Sequence, residues 1–172
     1  METVITTKQQ QARERITEAV RKYSTDLRRL AFSYLRCVAD AEDAVQDVFF
    51  SYYRNSPNLD NEEHEKAWLI RATVNRCRDK LRSPWHKKRS EYPLAEDIAA
   101  DLPQEQSELL YAVMALDIKY RLPLHLYYYE GYSIEEIAQL LDTPKSTIST
   151  RLRRAREQLK HELGGNYDEE NI

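Results

Sequence analysis

The sequence predicts an all-α protein: two small helical domains joined by a flexible acidic linker, the C-terminal one containing a helix-turn-helix. Only three of 172 residues are glycine and 32% are charged, a composition of helices rather than of a sheet built on tight turns. Apolar residues recur at helical spacing on both sides of a central segment, and no useful run alternates as a strand would. That segment, residues 83–106, carries Pro84, Pro93 and Pro103 without sustained periodicity. The expected units are residues 1–83, a linker over 84–106, and residues 107–172, each module able to bury a modest core.

The first module reads as three helices. Tyr23, Leu27, Leu30, Ala31 and Tyr34 mark one, which residues 1–20 extend. Ala41, Ala44, Val45, Val48, Phe49 and Tyr52 mark the next, with Asp40 as N-cap and Asp43 at the capping-box position. "NSPNLDNEE" breaks the chain. A third helix is predicted from about Glu63 to Arg82, with Ala67, Ile70, Val74, Cys77 and Leu81 as its apolar stripe and arginines on its other faces.

Beyond the linker, Leu109, Leu110, Val113 and Leu116 mark a helix, and "LPLHLYYYEG" a short one from near Pro123 to Gly131, which suits the position just past a helix end. Ser133 followed by Glu136 is a capping box opening a helix over Ile134, Ile137, Ala138, Leu140 and Leu141. Asp142 and Thr143 then break it, and Thr143 as N-cap with Pro144 as first helical residue starts the last helix. Ile148, Leu152, Ala155 and Leu159 form its inward stripe, which leaves Ser146, Ser149, Thr150, Arg153 and Arg154 outside. The closing "GGNYDEENI" reads as a frayed end.

A net charge of -3 hides a strong segregation. Between Lys66 and Arg89 the cations oppose Asp79 alone, and between Lys145 and Lys160 they oppose Glu157 alone. Ser90 to Leu110 carries six carboxylates and no Lys or Arg. Two basic modules flanking an acidic connector point to a nucleic-acid partner. The last helix fits that reading: hydroxyls and backbone N–H groups at its start suit phosphate, and arginines one turn on reach base edges in the major groove. A solvated basic face would carry the same arginines; the cap, turn and hydroxyl pattern favours DNA.

Other classes find little support. No P-loop, nucleophile elbow or metal-spaced cluster occurs, and His64, His86, His125 and His161 lie far apart, so neither catalysis nor a metal or cofactor is expected. Cys37 and Cys77 are isolated thiols, read as core residues in a reducing compartment. The opening residues lack a signal-peptide core, and no window is apolar enough for a membrane span, so a cytoplasmic protein without membrane insertion is expected.

Three stretches in order give the chain a family resemblance. "DAEDAVQDVFFSYYR", "KAWLIRATVNRCRDKLR" and "YRLPLHLYYYEGYSIEEIAQLLDTPKSTISTRLRRAREQL" together resemble a bacterial sigma factor of the extracytoplasmic-function (ECF) class, the minimal two-domain members of the sigma-70 family. The resemblance implies a subunit that binds core RNA polymerase and directs it to promoter DNA. It implies docking on the beta-prime clamp helices through Asp40, Glu42, Asp43, Gln46 and Asp47, and contact with the beta flap. It implies opening of the downstream promoter element by the third helix, where Asn75 and the loop from Asn55 to Lys66 form a pocket for an unstacked base. Arg71, Arg76, Arg78 and Arg82 then follow the phosphate backbone, and Trp68 either stacks on a base or belongs to the core. In the last helix Ser149, Thr150, Arg153 and Arg154 approach upstream bases while Lys145, Thr147 and Arg151 hold phosphates. Many members carry a basic residue where this chain has Ser149, so the upstream preference is its own. Tyr127, Tyr128 and Tyr129 are expected in the core and against polymerase, the linker near the nascent RNA path, and an anti-sigma factor as partner. An autonomous helix-turn-helix regulator is the competing reading; residues 40–82 argue against it, because they offer a docking helix beside a basic helix rather than a ligand pocket.

Overall fold

The computed structural model describes residues 7–55, 57–83 and 103–164. Seven α-helices and no strand occur among them. They are α1 (Thr7–Leu35), α2 (Val38–Asn55), α3 (Glu62–Arg82), α4 (Gln104–Ala115), α5 (Ile118–Leu124), α6 (Ile134–Leu140) and α7 (Lys145–Glu162).

Helices α1, α2 and α3 pack on one another as a bundle. Tyr23, Leu27, Leu30, Ala31 and Tyr34 of α1 are buried, as are the six apolar residues predicted for α2. Helix α1 stops at Arg36, whose φ of 58° lies in the left-handed region and whose N–H donates to the Phe32 carbonyl at 2.8 Å. The start of α2 differs from expectation. Ala41 N–H bonds the Cys37 carbonyl at 2.9 Å, so the helix opens at Val38, and Asp40 lies inside the first turn instead of capping it. Its charge there still favours the positive end of the helix. Asp43 makes no capping box and pairs with Lys80.

Asn61 caps α3, accepting from His64 N–H at 2.9 Å. The buried stripe of α3 is Leu69, Ile70, Thr73, Val74 and Cys77; Ala67 and Leu81 are only half-buried. Helix α3 touches both α1 and α2, so a wider face is covered than one stripe predicts. That burial includes Thr73, whose hydroxyl donates to the Leu69 carbonyl at 2.8 Å. Cys37 is half-buried, not fully in the core as expected, and Cys77 is completely buried.

Helix α4 begins three residues inside the stretch read as linker; residues 84–102 and 165–172 lie outside the described residues, and with them His86, most of the linker and the frayed end. Of the expected α4 stripe Leu116 is buried, but Leu109, Leu110 and Val113 are half-buried, and Ala112 and Met114 are buried in their place. Helix α5 starts at Ile118 under an Asp117 cap, five residues before the Pro123 expected to open it. Pro123 is instead buried inside the helix. Its missing N–H removes one helical bond, and a π-helical turn over His125–Tyr129 follows at once. Gly131, at φ 73°, ends that turn as predicted.

The two halves meet along a polar seam. Arg121 of α5, 2% exposed, donates to the Ser33 carbonyl near the end of α1 and to the carbonyls of Met114, at 3.0 Å, and Leu116. Arg36 donates to Leu116 from the other side at 3.1 Å. Lys66 of α3 pairs at 2.9 Å with Glu130, whose side chain is almost fully buried. Burial pushes the Glu130 carboxyl up, yet His125 and Lys66 outweigh it and leave the group below its ordinary value. His125 Nε2 is 3.7 Å from Glu130, beyond hydrogen-bond reach.

Candidate polymerase and nucleic-acid interfaces

The surface expected to read the upstream element is built by α6 and α7. Ser133 accepts from Glu136 N–H while the Glu136 carboxylate accepts from Ser133 N–H at 2.8 Å, so the predicted capping box is present. Asp142 turns the chain with φ 48°, and Thr143 N–H closes the turn on the Ala138 carbonyl at 2.9 Å. The next step is shifted by one residue. Pro144 is the N-cap of α7, and the Thr143 hydroxyl donates back to the Leu141 carbonyl instead of capping. Ile148, Leu152, Ala155 and Leu159 are buried, as their spacing requires.

Ser149, Thr150, Arg153, Arg154 and Lys145 are therefore exposed, while Thr147 and Arg151 are half-buried at the edge of the same face. Lys145 pairs with Glu135, and Arg153 donates to Glu157 at 2.5 Å. Arg156 instead lies against Tyr127 and Tyr128, donating to the Tyr128 hydroxyl at 2.8 Å. Those two tyrosines are half-buried; Tyr129 is 60% exposed and stacks on His125, so only part of the run joins the core.

On α3, Arg71, Asn75, Arg78 and Arg82 fall at i, i+4, i+7 and i+11, which places them along one face. Arg71, Asn75 and Arg82 are exposed and Arg78 is half-buried. Arg76 points elsewhere: its Nε donates to Asp47 at 2.8 Å, across to α2. Trp68 is half-buried and meets Tyr52 edge to face at 5.5 Å, which ties it to the bundle core while leaving part of the ring accessible. Arg71 reaches the Gln139 carbonyl at 3.4 Å, so the upstream module lies against this end of the strip.

On α2, Glu42, Asp43 and Gln46 are exposed and Asp40 and Asp47 half-buried. The Lys80 ammonium beside Asp43 holds that carboxyl below its usual range. Sequence reasoning missed one feature of this face. Phe50 is 66% exposed and Tyr53 37%, beside Gln46 and Asp47. The signal was present: Val45, Val48, Phe49 and Tyr52 define the inward stripe, and at helical spacing Phe50 and Tyr53 fall beside it rather than within it.

Residues 19–87 match the sigma-70 region 2 family and residues 101–159 match sigma-70 region 4. The chain is 31% identical over 148 residues to the ECF RNA polymerase sigma factor SigM of Mycobacterium tuberculosis, covering 84% of this chain and 74% of that protein. The chain belongs to the ECF sigma factors. A second relative, SigW of Bacillus subtilis, is 28% identical over 82% of this chain and 84% of its own. Among solved structures, the sigma factor RpoE of Bartonella quintana, in complex with the anti-sigma factor NepR, superposes with a TM-score of 0.66 at 22% identity over 88% of this chain and 98% of its own. CnrH in complex with the cytosolic domain of CnrY superposes at 0.56, also at 22% identity, over 92% of this chain and 96% of its own. Both share the fold. Region 2 of this sigma factor spans most of α1 together with α2 and α3, and region 4 the helices from α4 through most of α7. Among the described residues no helix is long and apolar enough to cross a membrane.

Proposed function

We propose that this sigma factor docks on the clamp helices of core RNA polymerase through Asp40, Glu42, Asp43, Gln46 and Asp47, and on the beta flap through its region 4. It brings polymerase to a promoter with two separated elements and adds no catalysis of its own. Ser149, Thr150, Arg153 and Arg154 of α7 read the upstream element in the major groove, with Lys145, Thr147 and Arg151 on phosphates. The α3 strip of Arg71, Asn75, Arg78 and Arg82, with Trp68 and Arg76 beside it, engages and opens the downstream one. Extracting a base costs stacking and pairing energy, which the Asn75 amide and the basic strip return. The domains are residues 1–83 and 107–172 with the acidic segment between them, the compartment is the cytoplasm, and an anti-sigma factor is the regulatory partner.

One observation carries this reading: α2 presents carboxylates, Gln46 and Phe50 beside a helix that presents Asn75 and arginines, and ion pairs Asp43–Lys80 and Asp47–Arg76 fasten the two. An autonomous regulator needs no such helix pair. The test is gel filtration of the purified chain with core polymerase freed of any sigma subunit. Co-elution is expected. No association, together with tight operator binding by the chain alone, would establish the regulator instead.

A further inference from the structure

We infer that Arg15 of α1 is a positioning residue for promoter opening: with Tyr52 and Glu65 it clasps together the two ends of the loop between α2 and α3. The inference rests on the reading that α3 and this loop engage and open the downstream element. Tyr52 lies in the last turn of α2, just before the loop, and Glu65 in the first turn of α3, just after it. The Tyr52 hydroxyl donates to the Glu65 carboxylate and so joins the ends of the loop across 13 positions of sequence. Burial, together with that carboxylate, pushes Tyr52 up to about 12, so its hydroxyl keeps the proton it donates at neutral pH.

The Glu65 side chain is only 18% exposed, and a carboxylate with so little water needs more than one neutral donor. Arg15 supplies the opposite charge. Its Nε is 3.8 Å from the carboxylate, and its guanidinium lies 5.3 Å from the centre of the Tyr52 ring, so one side chain steadies both partners of the clasp. Trp68 meets the same ring edge to face. Glu65 and Trp68 are three positions apart and therefore share a face of α3. The seat of the Tyr52 ring thus sets both the spacing of the loop ends and the orientation of Trp68, which borders the Arg71–Asn75 strip. Arg15 itself lies outside residues 19–87 that match region 2, on the N-terminal run of α1. An ion pair this open adds little to folding stability, so what it governs is geometry at the loop.

The test uses the full chain bound to core polymerase and a promoter that the same complex has selected from random sequence, with a fluorescent adenine analogue in the downstream element to report unstacking. Arg15→Met keeps an aliphatic stem over Tyr52 and removes the charge. It should leave polymerase association and closed-complex affinity unchanged while lowering the extent of opening several-fold. It should also weaken discrimination at the unstacked base on a single-stranded downstream oligonucleotide. Arg15→Lys should restore most of the opening. Opening equal to wild type in Arg15→Met would overturn the assignment. A parallel loss of polymerase association and melting temperature would overturn it too, by making Arg15 a bundle contact. Asn75→Ala separates the two readings. If that variant opens the promoter normally, the α3 reading fails and the role of Arg15 falls with it; if it blocks opening while Arg15→Met does not, the clasp alone is lost.

Discussion

Arg154 stands exposed on α7, one turn beyond Thr150 and on the side away from the buried stripe. Arg154→Ala should cost about 1–3 kcal/mol of discrimination at one upstream base pair, measured by competition between duplexes that differ only there. Equal loss on every sequence would make it a phosphate contact. Asn75 is exposed midway along the α3 strip, where its amide is free to pair with a base edge. Asn75→Ala should leave polymerase association intact while suppressing permanganate reactivity of downstream thymines; normal opening would remove Asn75 from the pocket. The two thiols differ for a physical reason. Burial pushes Cys77 up to about 12, and its side chain is wholly enclosed, whereas Cys37 is half-buried. A disulfide reagent should therefore label one thiol in the native protein and the second only on unfolding, because the thiolate is the reactive form.

Between helices, the proposed docking face of α2 and the proposed promoter-opening face of α3 share ion pairs, so a charge reversal at Asp43 disturbs two things at once. Asp43→Arg should abolish or strongly weaken core association, whereas Lys80→Ala removes the same ion pair and leaves the docking carboxylate in place. Weakening by both variants alike would place the polymerase contact elsewhere and make the pair itself responsible. Pairs this exposed contribute little to stability, so neither change should unfold the bundle. Ser133→Ala should cost about 1 kcal/mol by removing half of the capping box that starts α6, read from urea denaturation. Such local devices were legible in the sequence: the Ser133–Glu136 box, the α7 stripe and the Gly131 stop each depend on neighbours within a few residues. The misplacements have equally local causes. The Thr143 hydroxyl donates to the Leu141 carbonyl instead of capping, and Pro144 holds the cap position. Pro123 entered a helix whose start Asp117 had already fixed, and a π-helical turn follows it.

Across the whole molecule, what the sequence did not disclose is the seam. Arg121 bonds Ser33, 88 positions away, and Lys66 bonds Glu130; periodicity is blind to such separations. Arg121 is buried as a cation with carbonyl partners, and burial lowers it only to about 10, so it remains charged at neutral pH. Glu130 gives the seam a pH signature. Its folded value is depressed, so its stabilising contribution is complete above the ordinary Glu value of about 4.3 and is lost as pH falls through the lower folded value. The melting temperature of the wild type should exceed that of Glu130→Gln at neutral pH, and the gap should close on acidification; a constant gap would show that the charge is not what matters. The same seam brings region 4 against the Arg71 end of the α3 strip, joining the two surfaces proposed to read the promoter. Whether one chain supplies both surfaces to polymerase is decided by transcription with sigma-free core polymerase plus this chain on a random-sequence promoter library. Initiation is expected from templates enriched in two separated sequence blocks, with Arg154→Ala relaxing the upstream block and Asn75→Ala failing to open the downstream one. Polymerase that remains silent with the wild-type chain, or that initiates from templates sharing a single block, would contradict it.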